Sequence, residues 1–542
     1  MRYDLLIRKA KVVDGSGNPW FYGDVGVKED RIAAIRPAGH LPTFGAVETL
    51  EADGLVLAPG FIDILSHSIT PLMRDGRCMS KITQGVTTEI MGEAWTPAPF
   101  GGKIAPRNLA PYVAETWNQK IQGWTRFGDW LEAMLQSGVS PNIGAFLGGG
   151  TLREYACGMR IGKASSEELQ TMRQVMRGAM QDGAFGVSYA LIYPPDDYAE
   201  TDEIVEVCKV VAEHGGIYIT HLRSESDRLL EALDEALEVG RRAQLPVQIY
   251  HLKASRPENW PKMALALERI HRARLSGQDV TADVYPYTAS GTGLSAMLPN
   301  WVFEGGQVYE RLRDPAIRQR IREELLEPNP SVDTRSRAEQ VMPIGFQKPE
   351  NQVYVGKRLN EIAQMCGQDW LECIFDLLVS EQQRIGTIYF TMSEDNLRLQ
   401  YAQPWTMVST DAGGFDPAWA SAYGPVHPRA YGSYPRVLRR YVREEGLLSL
   451  EEAIRKMTSL PANRLGLFDR GRIQIGAKAD LVLFDPHTIT DHATFEKPHQ
   501  LSTGMVHVWV NGQQVLKDGH HTGAIPGQIV RGPGYRTETT HR

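Results

Sequence analysis

Five cysteines in 542 residues, odd in number and without a Cys-x-x-Cys pair, exclude both a disulfide framework and a zinc-ribbon fold. No stretch reaches the about 18 uninterrupted apolar residues of a membrane-spanning helix. Residues 1–9 carry charges where a secretory signal keeps its apolar core, so a cytoplasmic protein without a membrane partner is expected. A positive field is missing too. The 58 Lys and Arg face 65 Asp and Glu, a formal charge of −7, which offers nothing to a phosphate backbone and argues against nucleic acid as a partner. Internal repeats and low-complexity tracts are absent. What remains, 42% hydrophobic and 23% charged residues, is a globular composition long enough for one large domain and a smaller one.

Both ends read as short strands with tight turns: residues 3–7, 11–13, 23–28, 31–35 and 55–58, then 480–484, 506–510, the turn Asn511-Gly512 and 514–516. Residues 1–60 and 466–542 are therefore expected to build one small β domain. Between them, apolar runs at 61–65, 86–91, 142–147, 185–189, 217–220, 247–250, 280–284 and 406–410 alternate with amphipathic stretches such as 166–181 and 227–243. Eight strands, most followed by a helix, predict an α/β fold, a (β/α)8 TIM-like barrel over 61–465. The run between the seventh and eighth strands is too long for one βα connection. It predicts an inserted subdomain at about 288–350, with 309–327 helical, 328–333 a loop and 341–355 strand-like.

Active sites of such barrels form at the C-terminal ends of the strands. Strand one ends in His67, strand two in Glu93, strand five in His221, strand six in His251 and strand eight in Asp411. A lone histidine after a strand is more often a hydrogen-bonded structural residue than a ligand. Three of them with two carboxylates at one mouth reverse that balance. His221, His251 and Glu93 make a two-histidine, one-carboxylate set, which suits a zinc that keeps one position open for water. Asp411 alone reads equally well as a turn residue in Asp411-Ala-Gly-Gly414. Its place after the eighth strand makes it the expected proton carrier between water and a leaving amine.

These residues carry a resemblance. The chain resembles the amidohydrolase superfamily and, within it, the N-acyl-D-amino-acid deacylases, over nearly its whole length. The matching stretches include Ala58-Pro-Gly-Phe-Ile-Asp63, Thr83-Gln-Gly-Val-Thr-Thr88, Gly183-Ala-Phe-Gly-Val-Ser188, Leu191-Ile-Tyr-Pro-Pro195 and Thr220-His-Leu-Arg-Ser-Glu225. Asp283-Val-Tyr-Pro-Tyr-Thr288, Ser433-Tyr-Pro-Arg436, Leu450-Glu-Glu-Ala-Ile-Arg-Lys-Met-Thr458 and Gly476-Ala-Lys-Ala-Asp-Leu481 follow in order. The resemblance implies His221 and His251 as ligands of a tightly held zinc and Asp411 as the proton-transferring carboxylate. It also implies that Lys253, Tyr285 and Arg429 hold the carboxylate of a small amide substrate, a task that suits an arginine fork. Each of the three has a bland alternative as a surface or packing residue.

The departures from the family pattern are local. The superfamily's His-x-His at the end of strand one is here Leu65-Ser66-His67, so one ion is expected, with His67 as a weak ligand. The family's metal-binding cysteine after strand two aligns with Ala94, and Glu93 substitutes for it only through a one-residue adjustment. No lysine follows strand four in Ser188-Tyr-Ala-Leu-Ile-Tyr193, which weakens a cyclic-amidase reading. The expected activity is hydrolysis of the amide of N-acyl-D-amino acids or related small amides. A peptidase for D-residues or another N-acyl or carbamoyl amidohydrolase is the alternative in the same class. A non-catalytic ligand-binding barrel, motivated by Leu65 and the missing cysteine, is the alternative outside it. Nothing in the sequence sets the oligomeric state.

Overall fold

The computed structural model describes residues 2–107, 109–326, 333 and 335–536. Eight parallel strands form the barrel: Phe61–Asp63, Val86–Met91, Asn142–Ala145 with its continuation Leu147–Gly148, Gly186–Ala190, Ile217–His221, Val247–Ile249, Val280–Val284 and Thr406–Val408. They pair in chain order, and a parallel bridge between Ser66 and Ala412 returns the eighth to the first. Every strand is buried along its length, which is why these segments are near-continuous apolar runs with little alternation. The outer helices carry local signals. Ser166–Asp182 starts at a capping box, with Ser165 Oγ accepting from Glu168 N at 3.2 Å and Glu168 accepting from Ser165 N at 2.8 Å. It stops at Gly183, whose φ of 106° favours glycine. No helix among the described residues is long and apolar enough to cross a membrane.

Strands from both termini share one nine-stranded sheet. Val56–Pro59 lies antiparallel to Leu481–Phe484, and Gly60 N donates to Asp480 O at 2.8 Å just before the first barrel strand begins. Asp480 also accepts from Asn511 N (2.7 Å), Arg470 Nη1 (2.5 Å) and Asn142 Nδ2 (3.1 Å), so one carboxylate ties this sheet to the third barrel strand.

Between the seventh and eighth strands lies a three-stranded antiparallel sheet in the order Ser290–Gly293, Gly386–Tyr389, Val341–Pro343, backed by helices with their own apolar cluster. The insert therefore continues past residue 350, because its central strand comes from the end of the segment. Only Val341–Pro343 of the expected strand 341–355 is a strand. Pro349–Tyr354 is a 3-10 turn, with Pro349 at its first position. The expected helix 309–327 is two helices, Val308–Arg311 and Pro315–Leu326, because Pro315 starts a new one and Asp314 accepts from Ala316 N at 2.9 Å. Of the expected loop 328–333, all but Asp333 lies outside the described residues.

The barrel is closed around a buried ammonium. Lys81 Nζ lies 2.7 Å from Asp63 Oδ2 and 3.0 Å from Glu89 Oε1, with all three side chains fully buried. It also donates to Ser66 Oγ (3.2 Å) and Thr410 Oγ1 (3.0 Å). Asp63 in turn accepts from Thr410 N (3.0 Å) and Thr410 Oγ1 (2.6 Å), which joins strand one to strand eight. Burial opposes the charge on Lys81, but Asp63 and Glu89 hold its pKa above the ordinary value. Lys81→Met leaves two buried carboxylates without their cation and should cost about 3–5 kcal/mol. Denaturant unfolding checks this: the midpoint should fall with an unchanged slope, and a loss below about 1 kcal/mol would contradict the pairing.

Candidate active site

The mouth of the barrel gathers the strand-end residues. Gly92 at φ 107° and Ala94 at φ 57° flank Glu93, whose side chain turns towards the ends of strands five and six. A side chain on Gly92 would meet Phe146 O at 2.2 Å, so the turn requires glycine. Glu93 Oε1 sits 3.2 Å from His221 Nδ1 and 3.3 Å from His251 Nε2. The two rings stand nearly perpendicular, with centroids 4.4 Å apart. His251 and Asp411 hold positive φ values of 30° and 50°, uncommon for residues with a Cβ and typical of functional turns.

The outward ring nitrogens face one carboxylate. Glu225 Oε2 is 3.4 Å from His221 Nε2, and Glu225 Oε1 is 3.2 Å from His251 Nδ1. Lys253 Nζ, 2.5 Å from Glu225 Oε1 and 2.8 Å from His251 Nδ1, completes this outer layer. Imidazoles backed in this way present their inner nitrogens for coordination.

A second group faces the first. His67 Nε2 lies 2.9 Å from Asp411 Oδ1 and 3.1 Å from Glu93 Oε2. Among the described residues, Glu93, His221 and His251 form one set of donors within 4.8 Å of one another, and His67, Glu93 and Asp411 form another. Two imidazole nitrogens and a carboxylate oxygen fit a zinc ion.

The electrostatics follow from burial and pairing. Burial pushes the Glu93 carboxyl up, but hydrogen bonds from His221, His251 and His67 outweigh it and hold the pKa well below the usual range. For Asp411 burial is outweighed by Arg429, His251 and His67, which bring it down to about 2. His251 is raised to about 10: burial opposes, and so does Lys253, but Asp411 and Glu225 prevail. His67 is raised to about 9 against its burial by Asp411 and Glu93, yet its side chain is 43% exposed, so water in the cavity screens that pair.

Seven of the eight expected residues line a cavity of about 180 Å³: His67, Glu93, His221, His251, Lys253, Tyr285 and Asp411. Arg429 stands behind Asp411, with Nη1 2.7 Å from Oδ2 and its guanidinium 4.5 Å from the Tyr285 ring centre. The insert roofs the cavity with Arg335, Arg384 and Tyr389. Glu225 escaped the sequence reading, although its place four residues after His221 was a usable signal. Of the roof residues, Tyr389 ends the strand Gly386–Tyr389, a β-branched and aromatic run that the sequence reading passed over, whereas nothing near Arg335 marks a strand end. Leu65, which replaces the first histidine of the family pattern, is buried in an apolar cluster with Ile64 and Phe146, and its carbonyl accepts from Asp411 N at 3.0 Å.

A parallel eight-stranded barrel whose mouth holds two imidazoles and a carboxylate opposite a second carboxylate defines a metal-dependent hydrolase of the amidohydrolase kind. Residues 350–516 match the amidohydrolase family model. D-aminoacylase of Alcaligenes xylosoxydans xylosoxydans is 34% identical over 531 residues, 97% of each chain. A solved D-aminoacylase, described by its binuclear metal centre with one-metal activation and second-metal attenuation, superposes with a TM-score of 0.81 at 33% identity, covering 97% of this chain and 99% of its own. N-acyl-D-glutamate deacylase from Bordetella bronchiseptica, solved with zinc and a phosphonate mimic of the tetrahedral intermediate, gives 0.79 at 30% identity over 98% of this chain and 100% of its own. The chain belongs to the D-aminoacylase family of N-acyl-D-amino-acid deacylases.

The metal-free protein should show a defined pH dependence. The folded pKa of His251, about 10 against an ordinary 6.5, contributes stability that is full below 6.5 and lost as the pH rises through 10. Asp411, at about 2 against 3.8, contributes stability present above 3.8 and lost as the pH falls through 2. Thermal unfolding of chelator-treated protein should therefore weaken between pH 6.5 and 10. A metal-free melting temperature that rises across this window would contradict the arrangement.

Proposed function

We propose that the protein hydrolyses the amide bond of N-acyl-D-amino acids with one zinc ion held by His221, His251 and Glu93, and His67 as a weak fourth contact. The observation that carries this reading is the convergence of Glu93 Oε1 with both imidazoles, opposite an ionised Asp411 in the same cavity. The zinc-bound deacylase among the relatives supports the choice of ion. A zinc ion held by these residues would supply Lewis acidity, lowering the pKa of the attacking water and polarising the amide carbonyl.

Asp411 accepts the proton of the attacking water and returns it to the leaving amine nitrogen. Arg429, 2.7 Å from Asp411 Oδ2, keeps that carboxylate ionised and aimed. As the substrate enters, Arg429, Tyr285 and Lys253 receive its α-carboxylate; the Tyr285 ring centre lies 4.5 Å from the Arg429 guanidinium and 6.0 Å from Lys253 Nζ. Glu225 holds the two histidines in the orientation that turns their inner nitrogens to the cavity.

We further propose that 1–60 and 466–542 act as one β domain and 61–465 as the catalytic barrel, with the insert reaching Tyr389. The shared nine-stranded sheet and the separate apolar cluster of the insert support that division.

Metal analysis combined with turnover of N-acetyl-D- and N-acetyl-L-amino acids, D-residue dipeptides and N-carbamoyl amines tests the activity. One zinc per chain is expected, with turnover confined to the D-acyl series. Asp411→Asn should keep the zinc and lower kcat by about 10²–10⁴. A zinc-free protein without turnover, in which His221→Asn changes nothing, would sink the reading.

A further inference from the structure

Near the end of the seventh barrel strand, Val280–Val284, stands a carboxylate to which the proposed chemistry gives no task. Asp283 is fully buried between the sixth strand and the eighth. Its two oxygens take three hydrogen bonds. Oδ1 accepts from His251 N at 3.0 Å and from Ser409 Oγ at 2.7 Å, and Oδ2 accepts from the buried Gln248 Nε2 at 2.8 Å. The carbonyl of the same residue accepts from Leu252 N at 3.0 Å, so Asp283 receives two successive amides of the turn that carries His251.

That turn needs an anchor. The parallel ladder between strands six and seven runs to Ile249 opposite Ala282, and His251 lies beyond it, 2% exposed and at a φ of 30°. An amide that has left its ladder and lost water costs free energy unless an acceptor is supplied. A side chain at positive φ persists only where its surroundings impose it. Asp283 Oδ1 meets the first need and helps to impose the second. The ladder between strands seven and eight likewise stops at Val284 opposite Val408. Ser409 comes next, its N–H donating to Val284 O at 3.2 Å and its hydroxyl to Asp283, two residues before Asp411.

Resting on the zinc deacylase reading, we propose that Asp283 is a positioning residue: its Oδ1, shared by His251 N and Ser409 Oγ, sets the separation between the zinc-binding imidazole of His251 and the carboxylate of Asp411 that carries the proton. It touches neither metal nor substrate. Glu225 orients the His251 ring at Nδ1, whereas Asp283 fixes the backbone from which that ring departs. An asparagine here keeps an acceptor oxygen for both donors, and an alanine leaves both unpaired in a place closed to water.

The test compares wild type, D283A, D283N and S409A in three ways: zinc affinity from competition with a chromophoric chelator, melting temperature, and kcat and KM for the N-acetyl-D-amino acid that the wild type cleaves fastest. D283A should bind zinc about ten- to hundredfold more weakly. Saturated with zinc, it should lose about a hundredfold in kcat with KM little changed. D283N should recover most of both losses. S409A frees strand eight alone, so its kcat should fall about tenfold while its zinc affinity stays that of wild type. A D283A protein that melts at a lower temperature yet binds zinc and turns over substrate as wild type does has lost only stability, and overturns the proposal. A D283N variant no better than D283A overturns it too. If D283A does not fold, S409A decides: a kcat equal to wild type overturns the proposal, and a lowered kcat with full zinc affinity supports it. Wild-type protein that binds zinc but cleaves no N-acyl amino acid overturns the deacylase reading instead, and the zinc affinities of D283A and D283N then decide the role of Asp283.

Discussion

A buried ammonium holds the active end of this barrel together. Lys81 stands between Asp63 and Glu89 out of reach of water, where a charge persists only if its partners are placed to compensate its desolvation. Those partners belong to strands one and two, and through Thr410 the same network grips strand eight. Asp411 follows Thr410 directly, and Ser66, which also receives Lys81, precedes His67. The two residues that face each other across the cavity at 2.9 Å are thus carried on backbone fixed by one polar network.

A second constraint is the density of ionisable groups at the mouth. Glu93, Glu225 and Asp411 face His67, His221, His251, Lys253 and Arg429 within hydrogen-bonding range. Each buried group is acceptable only because an opposite one is adjacent. The loss of the first strand-one histidine fits that accounting. Leu65 is buried in apolar packing, and Glu93 brings a carboxylate within reach of both imidazoles.

Much of this was legible in the chain. The eight apolar runs became the eight strands, because a segment buried along its whole length is recognisable from its composition alone. His67, His221, His251 and Asp411 were found because strand ends point to one mouth. The insert was harder to read. The run 341–355 contains apolar residues at suitable positions, but Pro349 opens a turn there, and the central strand of that sheet, Gly386–Tyr389, comes from a segment that carried no strand expectation. Glu225 was overlooked although it stands four residues after His221; its contact with His251, 26 positions further on, arises only from folding.

The sequence by itself determined the class of fold and the kinds of donor atom at the mouth, because both depend on local properties: runs of apolar residues, and the polar residue that ends each run. The tertiary structure decided which donors meet. Glu93 and His221 are 128 positions apart in the chain, and their approach to 3.2 Å depends on the left-handed turns at Gly92 and Ala94 together with closure of the barrel. It decided equally that Arg335 and Arg384 look into the cavity, since a side chain in an insert acquires a direction only when its sheet packs over the barrel. Short-range periodicity encodes elements, whereas a site made of distant elements exists only once their packing has set the distances.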